Sequence, residues 1–218
     1  MFDYILLLLL SLSPAYVDNE SWEERTARMT VIAKAIDNAG DWATCSGKYV
    51  ATEERSCKVQ WSGTKKQLAL FLVTKGWWES RFAKNVHEGK CKPYECDPHK
   101  DKKGNITHRA RTSWQMQFTS FVRDNEWKEM VGVDQRATNI AAYVAARILS
   151  RARDRCKTDY GTMSGYAGNM GCTWEGVKNR VAFLSKLKDK SEDDLRKDAE
   201  RERKKLEDRI KPKVEVKP

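Results

Sequence analysis

Apolar residues recur at helical spacing in five stretches of the chain, separated by polar, turn-rich segments. Asn19 can cap a first helix on which Trp22, Thr26, Met29, Ala33 and Ile36 keep one face, with a stop near Gly40. Residues 41–63 read as loop. A second helix runs from about Lys65 to Phe82, with Leu68, Leu72, Phe82 and Ala83 near one face. The stretch from Asp134 to Cys156 is rich in alanine, at 137, 141, 142, 145, 146 and 152. Such small side chains let neighbours approach closely, so this helix is expected to be central. Thr173 can cap a further helix with Val177, Val181 and Leu184 on one side. Residues 188–218 are charged, start with Ser191-Glu-Asp-Asp194 in capping-box style, carry a thin stripe of Leu195, Ala199, Leu206 and Ile210, and meet Pro212.

Between the second and third helices, residues 87–110 are polar and turn-rich, with a small hairpin expected around Lys103-Gly104-Asn105. The pattern therefore predicts a mostly α-helical domain over residues 16–187, a small loop or hairpin insertion, and a charged C-terminal helix that docks on the domain or takes a protein partner.

The N-terminus changes the picture. Residues 5–12 are a short apolar run followed by Ser13-Pro14-Ala15, the small residues that a signal peptidase reads. No Lys or Arg precedes the run and Asp3 does, so an uncleaved membrane anchor is the second reading of residues 1–15. Export also suits six cysteines, at 45, 57, 91, 96, 156 and 172, and neighbour pairing (45–57, 91–96, 156–172) closes three surface loops. Hydrophobic residues are 40% of the chain and charged residues 33%, so a real core lies under a heavily charged surface. The net charge of +10 favours polyanionic partners. Basic residues are scattered between acids without a zinc-finger, RNP-like or homeodomain pattern, so no specific nucleic-acid partner is expected.

Candidate chemistry begins with Glu79, set among aromatics in "LVTKGWWESRF". At seven residues after Leu72 and eleven after Leu68 it projects from the apolar face of its helix. Desolvation there favours the neutral acid. The bland alternative is an ion pair, with Arg81 the nearby candidate.

Four separated pieces then occur in order: "WWESRF" with Glu79, "TSWQMQ" with Gln117, "DQRATNIAAYVAARIL" with Asn139-Ile140, and "SGYAGNMG" with Tyr166. This order resembles the catalytic domain of soluble lytic transglycosylases, the goose-type-lysozyme branch of the lysozyme fold, over about residues 65–187. That family carries Glu-Ser on a helix, a Gly-Leu-Met-Gln-like turn, an Asn-Ile helix start and a Tyr-Asn-x-Gly turn. Here Trp114-Gln115-Met116-Gln117 stands for the second element, and Tyr166-Ala167-Gly168 lacks the adjacent Asn.

The resemblance implies a lysozyme-like fold and cleavage of the β-1,4 bond between N-acetylmuramic acid and N-acetylglucosamine in peptidoglycan strands. Glu79 would be the general acid and then the base. Ser80, Gln117, Asn139 and Tyr166 would contact or position the substrate, with no cofactor and no metal. A neutral acid near pH 7 needs an apolar site, expected beside Trp77 or Trp78. A hydrolase would need a second, placed carboxylate. Glu88, Glu95, Asp97 and Asp101 are available but sit in no motif. Glycan cleavage assisted by the substrate's own acetamido group, ending in 1,6-anhydromuramyl sugars, is therefore the expectation. A hydrolase of the same fold and a non-catalytic wall-binding protein are the alternatives. A competing zinc set, His87, Cys91, Cys96 and His99, has plausible spacing.

Overall fold

The structure, a computed structural model, describes residues 1–15, 18–49, 60–91, 98–100, 102–108, 110–117, 122–167 and 171–210. Among them the chain is mostly α, with two short two-stranded sheets. The helices are α1 (Phe2–Leu10), α2 (Trp22–Thr44), α3 (Lys65–Ser80), α4 (Lys84–His87), α5 (Asp124–Glu129), α6 (Gln135–Cys156), α7 (Asp159–Tyr166), α8 (Lys178–Lys188) and α9 (Glu192–Ile210). The strands β1 (Pro98–Lys100), β2 (Ile106–His108), β3 (Ala110–Arg111) and β4 (Met116–Gln117) fall between α4 and α5.

Local signals explain most helix starts. Ser21, rather than Asn19, caps α2 through a reciprocal box with Glu24: Glu24 N donates to Ser21 Oγ and Ser21 N to Glu24 Oε2. The helix runs past Gly40 to Thr44 and ends at Cys45, which takes the left-handed conformation at φ +53°. Thr64 caps α3 and Asp134 caps α6, each accepting from the backbone three residues on. The expected cap Thr173 is not used. A 3-10 turn at Glu175–Val177 leads into α8 instead, and Val177 occupies its cap position without a side-chain bond. Three short helices, α4, α5 and α7, are not legible as helices in the pattern.

The hairpin expected around Gly104 forms. Pro98, His99 and Lys100 pair antiparallel with His108, Thr107 and Ile106, and Gly104 turns the chain at φ +83°. A second hairpin follows at once, pairing Ala110 with Gln117 and Arg111 with Met116.

One core gathers residues from Ile5 to Leu195. The alanine face of α6 packs along α2, as its small side chains allow. The helix buried on every side is α3, where Leu68 through Gly76 are all buried. The apolar run at the N-terminus is built into this core as α1: Ile5 and Leu8 are fully buried, and the Leu12 carbonyl accepts from buried Arg25 at 2.9 Å. The charged helix α9 lies along α1 and α2, burying Leu195, Ala199, Glu202 and Leu206 and leaving Ile210 exposed. Its capping box closes between Ser191 and Asp194. No helix among the described residues is long and apolar enough to cross a membrane.

Cys156 and Cys172 are bonded to each other, joining the end of α6 to the segment before α8. Cys45 and Cys91 are also disulfide-bonded. Their expected partners, Cys57 and Cys96, lie outside the described residues. A disulfide at Cys91 removes the thiolate that the alternative zinc set needs.

Candidate active site

The site grows from the C-terminal turn of α3. This helix stops at Ser80, two residues short of the predicted end, because Arg81 and Phe82 both take left-handed backbone at φ +55° and +50°. The reversal swings the Phe82 ring back against the helix. A Cβ on Gly76 would stand 2.3 Å from that ring, so only glycine admits the contact. Trp114 packs edge-to-face on Phe82, with centroids 6.3 Å apart, and its indole N–H donates to the Leu72 carbonyl at 2.9 Å.

The turn between β3 and β4 is thereby seated on α3, and a hydrogen bond secures it. Ser80 Oγ donates to the Ser113 carbonyl at 2.7 Å and also reaches the Gly76 carbonyl at 3.0 Å. It accepts from Phe82 N at 3.1 Å. The turn itself holds two non-glycine residues at positive φ, Thr112 (+67°) and Gln115 (+47°). Four of the six such residues among those described, counting Arg81 and Phe82, lie in the reversal after Glu79 and in the turn fastened to it through Ser80. For a β-branched residue like Thr112 the conformation is costly and persists only where the surroundings enforce it.

From the other side α2 holds the same reversal. Arg28 donates to the Phe82 carbonyl and pairs with Asp18 and Glu20, all three being buried. Asp18 also accepts from Lys84 N at 2.8 Å. Below it, buried His87 meets Thr138 Oγ1 of α6 at 3.1 Å. Its other ring nitrogen is buried without a hydrogen-bond partner among the described residues, and burial, with Arg28 nearby, lowers its pKa to about 4.

Glu79 itself sits in surroundings unlike those predicted. In place of an apolar wall its Oε1 meets two cations: Lys75, one turn earlier on α3, and Arg180 of α8, whose Nη1 is 2.6 Å away. The arginine is Arg180, not Arg81; the latter stacks on Trp77 with its guanidinium carbon 3.6 Å from the ring centroid. The aromatics pack toward α8, where Trp77 and Phe183 stack at 4.4 Å.

The Lys75 side chain is only 3% exposed. Burial lowers its pKa to about 8, with Arg180 adding to the shift and Glu79 opposing it. Its ammonium lies 4.2 Å from the ring centroid of Tyr166, so it bridges Glu79 and that phenol. Tyr166 is the last residue of α7 rather than part of a turn, and its hydroxyl donates to the Trp114 carbonyl at 3.4 Å. Burial, and secondarily the Glu79 charge, push its pKa well above the ordinary tyrosine value.

The structure thus joins Glu79, Ser80 and Tyr166 through the 112–115 turn and Lys75. It does not bring Asn139 to them. That residue lies inside α6, toward α2, accepting from Gln135 at 3.0 Å and Asn38 at 3.5 Å. Gln117 stands on β4 opposite Ala110 and is exposed. Lys75 was missed by sequence reasoning although its spacing, four residues before Glu79 in a run of apolar residues, was a usable signal. Arg180 carried none.

No protein-family model, no curated protein and no solved structure matches this chain.

Proposed function

We propose that the chain is an exported peptidoglycan lytic transglycosylase with Glu79 as its acid and base. The observation that carries this reading is convergence. The Glu-Ser pair, the Ser113-Trp114 turn and Tyr166 lie far apart in sequence, and hydrogen bonds and the Lys75–Tyr166 contact link them. The strained backbone flanking Glu79 supports it too, since such strain concentrates at working sites.

In the reaction proposed, Glu79 gives its proton to the glycosidic oxygen as the bond from C1 breaks. The carbonyl oxygen of the substrate's 2-acetamido group attacks C1 and holds it as an oxazolinium. The Glu79 carboxylate then takes the proton of the muramyl 6-hydroxyl, whose oxygen bonds to C1 and expels the acetamido oxygen. The tethered hydroxyl has a large effective concentration, which favours it over water. Ser80, whose hydrogen bonds all run to backbone, would shape the site, while Tyr166 would buttress Lys75.

Export is supported by the Cys156–Cys172 disulfide and by the leader-like run at residues 5–12. Because that run fills part of the core as α1, N-terminal sequencing of the exported protein decides whether it is removed or kept.

The test is digestion of purified peptidoglycan with the purified protein, the products being read by mass. The expected products end in 1,6-anhydromuramic acid and lack the added water of hydrolysis. Hydrated ends would make the protein a hydrolase of similar architecture. Binding without cleavage would make it a wall-binding protein.

A further inference from the structure

Glu79 brings one negative charge and meets two positive ones on the same oxygen. Lys75, buried on the same helix, already balances it. Arg180 is therefore a surplus cation. It comes from another helix, its side chain is 14% exposed, and its Nε is buried without a hydrogen-bond partner among the described residues. Among the described residues its one anionic partner is Glu79. Exposed Arg81, stacked on Trp77, adds a further positive charge two residues after Glu79. The Arg180 guanidinium carbon is 5.9 Å from the ring centroid of half-buried Trp174, and half-buried Trp78 and Phe183 pack with Trp77 beside Glu79. A site with excess positive charge beside ring faces suits a sugar that carries an anion.

We infer that Arg180 is a specificity-determining residue that binds a carboxylate of the glycan substrate and leaves Glu79 when it does so. The inference rests on the peptidoglycan reading and deepens it. With Arg180 paired to the substrate, Glu79 keeps only Lys75 and is freed to turn toward the glycosidic oxygen. An uncharged chitin-type strand offers nothing to draw Arg180 away, so Glu79 stays held. The carboxylate has two sources in this polymer: the lactyl group of peptide-free strands, and the stem peptides of intact strands, in which the lactyl carboxyl is amidated.

Three glycans of equal length separate these cases: chitooligosaccharide, peptide-free muramyl strands, and strands with tetrapeptide stems. Wild type is expected to favour at least one charged strand over chitooligosaccharide by about tenfold or more in kcat/KM, the scale of one charge-assisted hydrogen bond. Whichever charged strand is favoured identifies the carboxylate. In Arg180→Gln the preference is expected to collapse to about threefold or less, with chitooligosaccharide turnover rising because Glu79 is no longer held. Arg180→Lys, which keeps the charge without the fork, is expected to retain part of the preference. An equal fall on all three glycans, or an unchanged ratio, would overturn the inference. If wild type cleaves none of them, calorimetry with the same glycans decides it: Arg180-dependent preference for a charged strand upholds the carboxylate site while the cleavage reading fails, and equal binding rejects the site.

Discussion

The hydroxyl of Ser80 donates to the carbonyl of Ser113 across 33 positions of sequence, at 2.7 Å. This bond fastens the strained 112–115 turn to the end of α3, the turn whose Trp114 carbonyl receives Tyr166. Ser80→Ala leaves the Ser113 carbonyl and Phe82 N without that partner. It is expected to cost ~1–3 kcal/mol, the range for orphaned buried polar groups, read from urea denaturation. Unchanged stability would mean that the turn is held by Trp114 alone.

Glu79→Gln keeps the shape of the side chain but cannot supply a proton. Turnover on peptidoglycan is expected to fall by at least ~100-fold, the usual scale for general acid–base work. Folding should suffer as well, because the buried Lys75 loses its neighbouring anion. The loss is expected at ~1–3 kcal/mol near neutral pH, below the scale of a fully buried pair because Glu79 is partly exposed. Activity within a few-fold of wild type would remove Glu79 from the mechanism.

Lys75 gives the pair its pH dependence. Its folded pKa of about 8 lies below the ordinary lysine value, so the unfolded chain binds this proton more tightly than the folded one. The resulting penalty is fully present below pH 8 and is relieved as pH rises toward 10.5, by ~3 kcal/mol in scale. Lys75→Met is expected to remove that trend in stability. It should also abolish an alkaline limb near pH 8 in the wild-type rate profile, since loss of the lysine charge changes the field at Glu79. A limb that survives in Lys75→Met would belong to another group.

His87 works in the opposite part of the pH scale. Its folded pKa is about 4 because it is buried, with Arg28 close by, whereas the unfolded residue titrates near 6.5. Between these values the unfolded state holds the proton and the folded state does not. Stability is therefore lost as pH falls through this window, by up to ~3 kcal/mol. Comparing urea midpoints at pH 7 and 4.5 in wild type and His87→Gln isolates this contribution from the carboxylates. The variant is expected to lose less on acidification, and parallel losses would reject the assignment.

Short-range chemistry is what can be read along the chain. Asp134 and Thr64 start their helices because a side-chain oxygen meets an amide three residues away. Gly104 turns the hairpin because glycine accepts its backbone angle. The Cys156–Cys172 bond was legible because 16 residues separate two cysteines at the edges of predicted helices. The mostly helical class followed from spacing, and Glu79, Ser80 and Tyr166 were singled out by motif order.

Only the tertiary structure decided what surrounds Glu79. Its arginine partner comes from 101 positions away, and no local pattern records which of 41 basic residues will arrive there. The apolar N-terminal run reads as a leader from its composition, and its packing as a helix against α2 and α9 is visible only in three dimensions. Periodicity tells which residues avoid water. Which of them meet depends on how the helices cross, and the charge around the carboxylate is set at that crossing.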